Sequence, residues 1–345
     1  AGGWRQESIS QPREVTMIEL HERELVFQFP DVHPDAVCRI DFRRTLRLPN
    51  NDRTYPLPPG LGRFPLLHVE DYAAKLPSAW AAHGGVMLPM FQADALWINF
   101  SSSFKEGYPF AVQIAVGRIN ALSGERWRNE LSSLTQDYLV APDQPWLDGF
   151  CLRKGLTRQF VARPLGESRM ASEPDGDDAI FDGLQIAVYP MKRERYQALA
   201  DRRLTDGFAI DFSGDEPIGQ QPAHLLQGNV YVDEYGCEAW DQQAVSRCFV
   251  HMLNSEQWTR ATGRPMPGNA PTAAAYQEAG LPWCACYQEP KKVMLPGLGI
   301  LANLDEMPLE ATRDVVSRPL ANDSARPSKT VSMGLKPERA DQGYR

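Results

Sequence analysis

Apolar and polar positions alternate most cleanly over residues 39–48. Ile40, Phe42, Leu46 and Leu48 fall on one side of a period-two strand, and Arg39, Asp41, Arg43, Thr45 and Arg47 fall on the other. A half-buried strand requires this, because successive side chains leave opposite faces of the pleat. Arg44 breaks the rule by facing the apolar side, where a guanidinium needs a carboxylate partner. The same periodicity upstream predicts a meander with strands over 16–20, 24–29 and 37–48; Leu25, Phe27 and Phe29 mark the second, and Pro30 and Pro34 the turn before the third. Residues 55–62, Tyr-Pro-Leu-Pro-Pro-Gly-Leu-Gly, hold too much proline for a helix or a central strand and read as an extended surface run.

Further along, Val69–Leu76 reads as a short helix stopped by Pro77. Leu96, Ile98 and Phe100 mark one strand, and Phe110, Val112, Ile114 and Val116 another. The apolar phase flips after Gly117, which predicts a bulge or bend there. A hairpin over 149–163 turning at Lys154-Gly155 and a strand at Leu184, Ile186 and Val188 ended by Pro190 complete the β signals. Helix patterns come later: 192–204, then 241–261 with Val245, Cys248, Phe249, Met252 and Leu253 at helical spacing, then 272–279 closed by Gly280. Strands first and helices late, without regular alternation, predict an α+β fold: an antiparallel, twisted β-sheet core with helices mainly from the C-terminal third packed on it. The expected organisation is an N-terminal arm over 1–15, a single globular domain over 16–304 and a C-terminal arm over 305–345.

Composition narrows the partners. The 345 residues carry a net charge of −8 and a pI near 5.4, which argues against nucleic acid and against an anionic membrane surface. No apolar stretch is long enough for a membrane span. The opening Ala-Gly-Gly-Trp-Arg-Gln-Glu has no secretory pattern. Six sparse cysteines at 38, 151, 237, 248, 284 and 286 read as reduced thiols in a cytoplasm, where the glycosylation patterns at Asn99 and Asn322 would be inert. Polar arms are ordered only when tied down, so the expected partner is a second copy of the chain or another protein.

Candidate chemistry is scattered. Arg39, Arg43 and Arg47 would line one strand face, and guanidinium forks suit phosphate or carboxylate; the plainer reading is a solvated face. Asp233, Glu238 and Asp241 could offer oxygen ligands to a hard cation, although no EF-hand spacing is present and Asp241 also fits the N-cap of the helix expected after it. Asp175, Asp177, Asp178 and Asp182 form a similar acidic loop. Cys248 and His251, three apart on that expected helix, could join Cys284 and Cys286 around zinc, or Cys248 could be a buried thiol beside a hydrogen-bonded histidine. Gly297-Leu298-Gly299 imitates a dinucleotide fingerprint without the strand and helix it requires. No cofactor is expected. Asp148, Asp233 and His251 are the weak catalytic candidates, sharing acid and base roles should they converge. Trp97, Trp127, Trp146, Trp240 and Trp258 each have a carboxylate or amide nearby in sequence; exposed, they would suit sugar rings, and otherwise they are core.

Four strings carry a resemblance: Pro56-Leu-Pro-Pro-Gly-Leu-Gly-Arg-Phe-Pro-Leu66, Gly84-Gly-Val-Met-Leu-Pro-Met90, Gln144-Pro-Trp-Leu-Asp-Gly-Phe150 and Gly183-Leu-Gln-Ile-Ala-Val-Tyr-Pro-Met-Lys192. Through them the chain resembles a family of conserved hypothetical proteins of bacteria and some fungi, over most of residues 16–290. The resemblance implies no activity and transfers no catalytic residue. Where that family has a glycine-rich segment with Met, Gly and Arg, this chain reads Asp215-Glu-Pro-Ile-Gly-Gln-Gln-Pro222. Three readings follow: a soluble, non-enzymatic binding or assembly protein working through its surface and arms; a hydrolase or transferase on a small polar substrate, using carboxylates with His251, with or without a metal; or a carbohydrate-binding protein using exposed tryptophans.

Overall fold

A computed structural model gives the structure and describes residues 17–49, 55, 57–102, 107–153, 156–161, 183–205, 230–284 and 328–329. Three strands come first: β1 (Met17–His21), β2 (Glu24–Gln28) and β3 (Val37–Leu46). β1 and β2 meet across a two-residue turn in which Glu22 takes a φ of 57°. β4 (Gly60–Arg63) and β5 (Leu67–His68) follow, then a 3-10 helix over Glu70–Lys75 and helix α1 (Ser78–His83). β6 (Val86–Pro89) and β7 (Asp94–Ser102) lead to β8 (Phe110–Val116). β8 reverses through Gly117, with a φ of 58°, into β9 (Ile119–Asn120); of the bulge or bend expected at this glycine, the bend is present, as the turn of a hairpin. β10 (Leu139–Ala141) and β11 (Trp146–Leu147) precede the hairpin of β12 (Gly149–Arg153) and β13 (Leu156–Gln159), whose turn residues 154 and 155 lie outside the described residues. β14 (Leu184–Pro190), α2 (Arg193–Thr205), β15 (Ser246–Leu253), α3 (Ser255–Thr262), α4 (Ala273–Glu278) and β16 (Ser328–Lys329) complete the order.

The fold is α+β with a core of two sheets. The first runs β11-β7-β3-β2-β1-β16, with β4 continuing the edge of β3 beyond β2. The second runs β10-β8-β14-β15-β6-β5, with β9 beside β8. Ladders are antiparallel except β1–β16 and β15–β6, which are parallel. One apolar core joins both sheets: Leu25, Ile40, Phe42 and Ile98 from the first meet Val112, Ile186, Val250 and Met252 from the second. Burying these alternate faces is the main term holding the domain together.

The second sheet is buried on its other side too. Every residue of β8, β14 and β15 is buried. The segment between β9 and β10 lies over it and inserts Trp127 and Leu131. Polar groups there pair with one another. Gln113 Nε2 donates to Asp137 Oδ2 at 2.8 Å, Tyr189 Oη to the Asn129 carbonyl at 2.9 Å, and Arg247 Nη2 to Asn129 Oδ1 at 3.1 Å. Burial raises the Asp137 pKa against the opposing hydrogen bonds from Ser132 and Gln113, and it lowers that of Arg247.

Residues 241–261 depart from the expected helix. Only the last part is helical; 246–253 are the strand β15, between β14 and β6. A strand buried on both faces loses its polar–apolar alternation, so its apolar run fits a helical period by chance. The true helix starts at Asn254, whose side chain accepts from the Gln257 amide while the Gln257 side chain accepts in return from the Asn254 amide, a capping box. Asp241 therefore caps no helix; its Oδ1 accepts from the Gln243 amide at 3.0 Å. Among the described residues α1 and α2 precede the C-terminal third, and α3 and α4 fall within it. Of the expected arms, 1–15 lies outside the described residues, and of 305–345 only β16 is described.

Candidate functional site: an arginine face on the first sheet

The register of β2, β3, β4 and β7 brings charged side chains to the outer face of the first sheet. Glu24 and Asn99 stand opposite Asp41, and Arg63 and Trp97 stand opposite Arg43. Asp41 is 2% exposed. It pairs with the Arg43 guanidinium, accepts from Asn99 Nδ2 at 3.0 Å and lies 3.6 Å from Arg63 Nη2. Arg63 Nη1 also reaches Glu24 Oε1 at 2.5 Å, and Arg39 Nη1 lies 3.7 Å from Glu24 Oε2. Three guanidiniums thus share two carboxylates, with 30–36% of each arginine side chain still exposed. Like charges directly across a ladder are destabilising, and Asp41, which contacts both guanidiniums, offsets the repulsion between Arg43 and Arg63.

The structure brings Arg39 and Arg43 together but turns Arg47 elsewhere, where its Nη1 donates to the Gln92 carbonyl at 3.2 Å. Sequence reasoning missed Arg63 and Glu24. Arg63 sits just past a proline-rich run that reads as featureless, and β4 is visible only once β3 is known to outrun β2. Arg44 faces the opposite side. Its Nε donates to Asp94 Oδ1 at 2.7 Å and its Nη2 to the Asn269 carbonyl at 2.6 Å, and the guanidinium lies 5.2 Å from the Phe91 ring centroid.

The remaining candidates stand apart. Asp148 is half-buried between β11 and β12. Asp233 accepts from Tyr138 Oη at 2.6 Å, Trp240 Nε1 at 2.9 Å and the Tyr235 amide at 2.8 Å. Glu238 is exposed, 4.0 Å from Arg195. His251 is fully buried, with Nε2 3.0 Å from the Gly84 carbonyl and its ring stacked on Trp80 at 4.3 Å. Burial first, opposed by the Gly84 hydrogen bond and aided by the nearby His83, lowers its pKa from 6.5 to about 3. The ring is therefore neutral, and since a carbonyl only accepts, Nε2 carries the proton.

Cys248 and His251 do not share a face as expected, because positions three apart on a strand point to opposite sides. Cys248 sits in the main core and burial pushes its thiol pKa up. Cys284 packs beside the patch of Leu46, Ala93, Tyr276 and Leu281, and Cys286 lies outside the described residues. Among the described residues, no three His, Cys, Asp or Glu side chains gather as a metal site. Asp175, Asp177, Asp178, Asp182 and Gly297–Gly299 lie outside them.

None of the five tryptophans is exposed. Trp97, Trp127, Trp240 and Trp258 are buried and Trp146 is half-buried. Indole N–H groups are spent internally, Trp127 on Asn129 and Trp258 on the Pro265 carbonyl. Among the described residues no helix is long and apolar enough to cross a membrane. No family model, curated protein or solved structure matches the chain, so the reading of its surfaces rests on their own geometry.

Proposed function

We propose that this chain is a non-enzymatic binding or assembly protein of the cytoplasm that joins a second copy of itself or another protein through its surface and its terminal arms. The observation that carries the reading is β16. After an interval of sequence from 285 to 327, the C-terminal arm adds Ser328 and Lys329 in parallel to Glu19 and Leu20 on β1, at the edge of the first sheet. Strand addition to an open edge is a recurrent way to bind a chain segment, because the edge offers unpaired amides and carbonyls. A joint this short, made by an arm this far along the chain from its dock, can be closed by the arm of a neighbouring copy.

The hydrolase or transferase alternative finds less support. Asp148, Asp233 and His251 stand on separate elements, and His251 is sealed beneath Trp80. Native mass spectrometry of the full chain tests the assembly reading against a full-length variant carrying Ser328→Pro and Lys329→Pro, since proline removes the amide that a ladder needs. The native chain is expected as an oligomer and the variant as a smaller species. A native chain that stays monomeric across micromolar concentrations sinks the reading.

A further inference from the structure

We propose that the arginine face is a binding site for a tetrahedral oxyanion, the phosphate group of a free or esterified ligand. The inference is independent of the assembly reading and rests on charge balance and register. Arg39, Arg43 and Arg63 converge on Glu24 and Asp41, and Arg23 Nη1 reaches the Arg63 carbonyl at 3.4 Å. Four cations against three carboxylates, with Glu19 counted on the same face, leave one positive charge on one patch of a chain whose net charge is −8. A phosphate group supplies the anion that this excess calls for.

A purely structural network would need no such excess. One arginine per carboxylate satisfies the acids, and a cross-strand Arg43–Arg63 pair costs stability. Asp41, 2% exposed and gripped by Arg43 and Asn99, fixes the orientation of the guanidinium above it. The half-exposed guanidiniums retain donor edges, and the planar fork of each suits two oxygens of one phosphate. Glu19, one strand beyond Glu24 on the same face, is the competing carboxylate on that side. Trp97, opposite Arg43 and 8% exposed, supplies a reporter.

Titration of the full chain with inorganic phosphate and, separately, with phenyl phosphate, followed by calorimetry and by Trp fluorescence, tests the site. Arg39→Gln and Arg63→Gln are each expected to weaken binding about tenfold, and Arg47→Gln, on a different surface, to leave it unchanged. Among the described residues the Arg39 side chain is paired with Glu24 at 3.7 Å, a long contact, so its replacement keeps the test valid if Arg63→Gln fails to fold. Equal affinity for both probes supports a free-phosphate site, and tighter phenyl phosphate supports a phosphomonoester. Failure of both probes to bind at millimolar concentration, or affinities that Arg39→Gln leaves unchanged, overturns the proposal.

Discussion

Replacing His251 with glutamine should flatten the acid limb of the stability curve. The imidazole lies fully buried against Trp80 with a folded pKa of about 3, against 6.5 for the free group. Below 6.5 the unfolded chain takes up a proton that the folded chain refuses, so stability is present above 6.5 and drains away as pH falls toward the folded value. Complete protonation of the unfolded state alone over that interval corresponds to about 5 kcal/mol, and the fall from pH 7 to pH 5 to about 2 kcal/mol. Glutamine keeps an N–H within reach of the Gly84 carbonyl but does not titrate. Asp137, whose pKa is raised by burial, pulls the other way on acidification, and it cancels when the two proteins are compared. Urea unfolding at pH 5, 6, 7 and 8 gives both curves. They should converge on acidification by about 2 kcal/mol whatever the fixed cost of the substitution. Parallel curves would show that His251 is not held neutral and would refute its placement beneath Trp80.

Two further substitutions probe the frame. Arg44→Ala leaves Asp94, 1% exposed, without the guanidinium that Oδ1 faces at 2.7 Å, and should cost about 3–5 kcal/mol in urea unfolding; a loss under 1 kcal/mol would mean that the pair is not buried. Gly85 has a φ of 94°, and a Cβ there would meet the Phe249 carbonyl oxygen at 2.2 Å, so Gly85→Ala should lose roughly 3 kcal/mol or more, read as a lowered urea midpoint. A midpoint equal to the native one would contradict the close approach of β15 to the start of β6.

The sequence was most legible where one face of an element meets water or a polar layer. β2 and β3 matched their expected bounds within a few residues, β7 and β8 formed where their alternating apolar markers stood, and even the inward phase of Arg44 could be read. It was least legible at β15, which is buried throughout and whose apolar residues do not alternate. β15 then resembles a helix, and the shared face expected for Cys248 and His251 is lost with it. The arginine face was half visible. Arg39 and Arg43 follow from the pleat of one strand, but Glu24 and Arg63 join them only through pairing between strands, and no periodicity along a chain encodes its neighbours. Arg47 shows the converse limit, since its phase was right and the strand ended before it.

The stretch from Ala121 to Tyr138 contains no regular element, yet Asn120 Nδ2 grips the Asp137 carbonyl at 2.7 Å and Trp127 closes over Arg247, 5.9 Å from the ring centroid. An engineer seeking a permissive place for a tag, a graft or a deletion would choose it on appearance. It behaves instead as upholstery nailed to the sheet. Trimming it would flood Gln113, Tyr189 and Arg247 with solvent, so tolerance to insertion should be sought elsewhere.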